Sequence, residues 1–116
     1  MSVELVEQQK LILKRFLEVA YGLSDADVEM FLRILKTQEG KDVDTISKEL
    51  NISKSRASLI LKKLNDAGLI EKQKMSQSKG GRPKYVYYVN KSELKDKLSR
   101  RADELCKSLA DMLKSL

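Results

Sequence analysis

The chain has no histidine and no tryptophan, and it carries one cysteine and one proline in 116 residues. Without histidine, the commonest general base and metal ligand is missing. A lone thiol, Cys106, can form no intrachain disulfide and suits a reducing compartment. The carboxylates are scattered along what read as helix faces, and Gly80-Gly81 does not open a helix, so it is no nucleotide-cradling loop. These absences argue against an enzyme and leave no metal or cofactor site. Aromatic residues make up 5% of the chain, so a core drawn from the 41% hydrophobic residues must be mostly Leu, Ile and Val. No stretch approaches the roughly 18 uncharged apolar residues that a membrane span needs. The N-terminus, MSVELVEQQK, is acidic and amphipathic, unlike a secretory signal. The expectation is a cytoplasmic protein of one domain, residues 1–116, with no membrane partner.

What the chain has in excess is positive charge, and that excess is localised. The net charge is +6, yet residues 1–40 carry −2, residues 41–91 carry +7 and residues 92–116 carry +1. A middle segment this basic points to a polyanion, with nucleic acid ahead of a membrane surface.

Apolar spacing of three and four predicts a helix over residues 3–21, with Leu5, Val6, Ile12, Leu13, Phe16, Leu17 and Ala20 on its inner face and Gly22 closing it. Ser24 is placed to cap a second helix, SDADVEMFLRILK, whose first turn holds Asp25 and Asp27 where the helix dipole favours anions. Phe31, Leu32 and Leu35 are its expected inner stripe, and Glu39-Gly40-Lys41 reads as a turn. Asp42 then caps a short helix, VDTISKEL, with Ile46 and Leu50 facing in.

Asn51-Ile52-Ser53 forms a tight connection into SKSRASLILKKLNDAGL, which opens on an N-cap serine, Ser53, and stops at Gly68. In this helix Ala57, Ile60, Leu61 and Leu64 share one stripe, while Lys54, Ser55, Ser58, Leu59 and Lys62 fall on the other. A short helix, a three-residue turn and a longer basic helix make a helix-turn-helix. An ordinary helical hairpin has the same periodicity; the polar, basic outer face of the second helix separates the two.

Past Gly68 the period changes to that of strands, at residues 69–74 and 85–89. The intervening MSQSKGGRPK is a long basic hairpin tip carrying Lys79, Gly80, Gly81, Arg82, Pro83 and Lys84. Ser92 is read as the cap of a last helix that runs to the C-terminus. Its residues Leu98, Ala102, Leu105, Leu109, Met112 and Leu116 step by four and three, as the seam of a coiled coil does. Cys106 and Leu113 widen that stripe, and Cys106 is expected to be a packing residue. At roughly 1.5 Å per residue such a helix spans about 36 Å, more than a small domain needs for its own core. Its surplus is expected to pair with a second copy of the chain.

Helix, helix, helix-turn-helix and basic hairpin is the winged helix-turn-helix order. Residues 42–72, DVDTISKELNISKSRASLILKKLNDAGLIEK, followed by GGRPKYVYYV at 80–89, resemble the winged-helix transcriptional regulators of bacteria and archaea. The broad kinds most similar are the multiple-antibiotic-resistance regulator class and the small dimeric archaeal regulators with added terminal helices. The resemblance covers about half the chain well. It implies a mainly α fold with a small β-hairpin, in which residues 24–91 form a DNA-binding winged core and residues 3–21 and 92–116 form a dimerisation coiled coil.

By the same resemblance, Lys54, Ser55, Ser58, Leu59 and Lys62 would face the major groove of double-stranded DNA, with Arg56 at the helix flank. Lys79, Arg82 and Lys84 would bring the wing to the minor groove or its phosphates, and Gly80 and Gly81 would allow close approach. The expected partners are thus a near-palindromic DNA site and a second copy, with a nucleoid location. The sequence names no small-molecule effector. Leu59 departs from the family's usual polar or basic residue. It either meets a thymine methyl or belongs to the core of a slightly rotated helix. The alternatives at the level of function are a winged helix that binds protein or RNA in a transcription or translation complex, and a non-specific architectural DNA binder.

Overall fold

The computed structural model describes residues 3–75 and 84–116. Five helices and two strands follow in the order α1 (Val3–Tyr21), α2 (Asp25–Leu35), α3 (Val43–Leu50), α4 (Lys54–Asp66), β1 (Glu71–Lys74), β2 (Tyr85–Tyr88) and α5 (Lys91–Lys114). The chain divides into two compact units, residues 1–28 with 92–116, and residues 29–91. Among the described residues no helix is long and apolar enough to cross a membrane.

In the first unit, α1 buries Leu17 and leaves Leu13, Phe16 and Ala20 half-buried. Ile12, expected to face inward, is 67% exposed, as are Leu11 and Val19 in large part. The side chains of Leu5 and Val6 lie outside the described residues. Ser24 caps α2 reciprocally. Its hydroxyl accepts from the Asp27 N–H at 3.2 Å, and the buried Asp27 carboxylate accepts from the Ser24 N–H at 2.9 Å. That is a capping box with aspartate as the returning acid. Helix α5 begins at Lys91, so the position ahead of it belongs to Asn90, and Ser92, the expected cap, lies inside its first turn. Along α5, Leu94 is buried and Leu98, Ala102 and Leu105 are half-buried. The Arg101 guanidinium donates to the Ala20 carbonyl at 3.3 and 3.4 Å, a link that joins α5 to the end of α1.

The second unit holds the helix-turn-helix and the hairpin. Met30, Phe31 and Ile34 of α2 are buried, whereas Leu32 and Leu35 are only half-buried. The inner stripe is therefore rotated by one position from the one expected, because Met30 and Ile34, one turn apart, take the innermost line. Asp42 caps α3, its carboxylate accepting from the Thr45 N–H at 2.7 Å. Asn51 ends the helix in the left-handed conformation, φ 54°, which asparagine tolerates better than most residues. The next amide, Ile52 N–H, donates to the Ser47 carbonyl at 3.0 Å. Ser53 then caps α4, its hydroxyl accepting from the Arg56 N–H at 3.1 Å. Helix α3 packs on α4 and touches β2.

β1 and β2 pair antiparallel with Glu71 opposite Tyr88 and Lys74 opposite Tyr85. The ladder reaches one bond further, from Met75 N–H to the Lys84 carbonyl at 2.8 Å. On the other edge of β2, Lys41 and Tyr87 exchange backbone hydrogen bonds of 2.9 and 2.8 Å. The turn read at residues 39–41 thus adds an isolated bridge, at Lys41, to the edge of the two-stranded sheet.

Candidate nucleic-acid interface

Helix α4 is held by one face. Ala57, Ile60, Leu61 and Leu64 are buried, and Leu69 and Ile70 are buried just beyond its end. Turning those side chains inward sends Lys54, Ser55, Arg56, Ser58, Leu59 and Lys62 to the surface, and all six are exposed. Leu59, at 69% exposure, is a surface residue, which removes the reading that placed it in the core. From Lys54 to Lys62 the exposed face runs for roughly 12 Å at 1.5 Å per residue.

The two lysines at either end of this face are already engaged. Lys54 reaches Asp44 of α3 at 3.0 Å, and Lys62 reaches Asp66 one turn on at 2.8 Å. The hydrogen bond to Asp66, reinforced by its charge, holds the Lys62 ammonium above the usual lysine range. The Lys62–Asp66 pair lies at i,i+4 spacing on one helix, a local signal that the sequence reading passed over. The Lys54–Asp44 pair carries no local signal, because it crosses the turn between two helices.

Beside the start of α4 lies a cleft of about 360 Å³ lined by Asp42, Val43, Asp44, Lys54, Ser58, Lys84, Tyr85 and Tyr87. It brings Lys84 of the wing base to the same surface as Lys54 and Ser58 of α4. The tyrosines of this cleft were read from the sequence only as strand formers. Alternation along β2 turns Tyr85 and Tyr87 toward the helices and Val86 to the opposite side, where it faces Gln73, Lys74 and Met75. Burial, with the neighbouring Tyr85, raises the Tyr87 phenol above its ordinary value. Lys72 lies over the Tyr85 ring, 4.8 Å from its centre, a cation–π contact that steadies the ring. Lys79, Gly80, Gly81 and Arg82 lie outside the described residues.

A second polar cluster sits away from α4, where Glu49 of α3 accepts from Lys41 and pairs with Arg33 at 3.5 Å. It ties the end of α2, the bridge at Lys41 and α3 together. The residues expected at a coiled-coil seam divide along α5. Leu98, Ala102 and Leu105 are half-buried, whereas Leu109, Met112 and Leu116, with Leu113 beside them, are exposed. Cys106, expected to pack, is exposed in the chain as well.

Comparison with solved structures finds the same fold in winged-helix regulators. A possible transcriptional regulator from Methanosarcina mazei Go1 superposes with a TM-score of 0.75 at 21% identity, over 89% of this chain and 87% of that one. A protein from the thermoacidophilic archaeon Sulfolobus tokodaii gives 0.65 at 20% identity, over 83% and 93%. The MepR–DNA complex of S. aureus gives 0.59 at 20% identity, over 97% and 94%. At these identities the likeness is one of fold. Comparison with curated proteins gives no match. Residues 17–92, more than half of the chain, match the family described as the sugar-specific transcriptional regulator TrmB. The helix-turn-helix and the hairpin both fall within that match, and the chain belongs to the TrmB family of transcriptional regulators.

Proposed function

We propose that the protein acts as a homodimeric, sequence-specific binder of double-stranded DNA, with α4 in the major groove and the basic wing on the adjacent minor groove or its phosphates. The observation that carries this reading is the face of α4. Six consecutive outward positions are polar or cationic apart from Leu59, on a helix whose other side is fully buried. The segment bearing them is the one where the chain's positive charge is concentrated. That one similar fold, MepR, is described in complex with DNA lends support.

On this reading the work is divided. The core of residues 24–91 holds the DNA, and residues 3–21 and 92–116 hold the second copy. The exposed apolar end of α5 supports the second role, because Leu109, Met112, Leu113 and Leu116 form a stripe that none of the described residues covers. Two recognition helices about one DNA turn apart, roughly 34 Å, call for a near-palindromic site. No catalytic activity and no cofactor enter this function, and its place is the cytoplasm, on the nucleoid.

The test is binding of the purified protein to duplex DNA across a salt series. Phosphate contacts release counterions, so affinity is expected to fall steeply from low to high salt. Binding that ignores salt would overturn the proposal.

A further inference from the structure

Leu59 stands apart from every other exposed large apolar side chain in the described residues. Those others are Leu11, Ile12 and Val19 on α1, the Leu109–Leu116 group on α5, and Met75 at the base of the wing tip. Leu59 lies in the middle of the outer face of α4, 69% exposed, with Ser55 and Arg56 on the turn before it, Ser58 beside it and Lys62 on the turn after. All four neighbours are exposed. A single apolar side chain ringed by hydroxyls and cations is too small a patch for a protein partner to dock on. Nor does it serve the fold, since Ala57, Ile60, Leu61 and Leu64 supply the buried face without it.

Its surroundings suit a different kind of contact. The flanking serines are short and leave the isobutyl group of Leu59 open to a surface laid against α4. Lys54 and Lys62, at the two ends of the face, are drawn aside by Asp44 and Asp66. The centre of the face is an isobutyl group among hydroxyls, with the cationic side chains of Arg56, Lys62 and Lys63 around it. Of the four bases, only thymine presents an apolar group, its C5 methyl, on the major-groove edge.

We infer that Leu59 is a specificity-determining residue that packs on the C5 methyl of a thymine in the major groove. The inference rests on the DNA-binding reading above and adds to it the base that this position selects. In a two-fold site it applies to one thymine in each half.

The test uses the full chain and a duplex site obtained by selection from random DNA. Each thymine is replaced in turn by deoxyuridine, which keeps the base pair and removes only the methyl. One symmetry-related pair of replacements is expected to weaken the wild type by about fourfold per methyl, the factor one buried methyl group is worth. The same replacements are expected to leave the affinity of Leu59→Ala unchanged, and sites selected with that variant to lose the preference for thymine there. Alanine is at least as good a helix former as leucine, so the variant is expected to melt where the wild type does. Should it not, the uracil series on the wild type still decides. Salt-dependent binding in which no thymine methyl matters, or in which Leu59→Ala responds to uracil as the wild type does, overturns the inference and leaves DNA binding standing. Failure to bind duplex DNA in the first place would overturn both.

Discussion

Gly40 sits at φ +85°, and a Cβ added there would lie 2.6 Å from the Tyr87 carbonyl oxygen and 2.7 Å from Val86 Cγ1. The obstacle is backbone on one side, so it cannot swing away. Gly22 provides the contrast, with φ +65° and nothing within 4 Å of the same virtual atom. Gly22→Ala carries the left-handed backbone cost alone, about 1 kcal/mol. Gly40→Ala adds the clash and is expected to cost about 3 kcal/mol, which parallel urea melts of the two variants will separate. Asp42 offers a prediction in pH. The Thr45 N–H, and after it the Thr45 hydroxyl, hold its carboxyl below the ordinary value of 3.8, against the opposing effect of burial. A depressed folded-state pKa means stability that is present above the unfolded value and is lost as pH falls through the folded one. Asp42→Asn keeps a competent cap but cannot titrate. Urea melts are expected to show the wild type ahead of it at pH 7 and the gap closing below about pH 4.

At the scale of the element, the wing is a two-stranded sheet with Lys41 bridged to its outer edge and α3 at its side, and Lys84 marks where it turns toward α4. Lys84→Ala is expected to weaken binding to all duplex sequences alike and to lower the salt slope by about one. An unchanged slope would remove the wing base from the contact. The elements were largely legible in the sequence because their signals are local. Asp42 and Ser53 announce their helices by a carboxylate and a hydroxyl three residues ahead of the amides they accept from. The face of α4 follows from spacing alone. What escaped depends on distant partners. Lys41 pairs with Tyr87 across 45 intervening positions, and nothing in Glu39-Gly40-Lys41 separates a plain turn from one that ends on a bridge. The rotated stripe of α2 has the same origin, since Met30, Phe31, Leu32, Ile34 and Leu35 are apolar all round and their order of burial is set by what surrounds them. Lys54–Asp44 and the Tyr85–Tyr87 cleft are tertiary in the same sense.

For the whole molecule, the prediction concerns copy number. Leu109 is exposed in the middle of the α5 stripe, where a charge is harmless to a lone chain and intolerable in a buried seam. Leu109→Lys is expected to sediment as a monomer, to melt at a temperature that no longer depends on protein concentration, and to bind a two-fold DNA site more weakly. A variant that remains dimeric would refute the α5 seam.

The carboxylates of Asp44 and Asp66 bear on how such a molecule would find its site. Random DNA attracts a basic protein through its phosphates and detains it in proportion to that attraction. A phosphate that approaches Lys54 or Lys62 must compete with a carboxylate of the protein for the ammonium group. On the proposed reading each stop at a wrong sequence is shortened, while the serines and Leu59, which touch bases, lose nothing at the right one. Genome search is governed by the ratio of these two dwell times more than by either alone, and on the proposed reading the two surface ion pairs tilt that ratio toward the specific site.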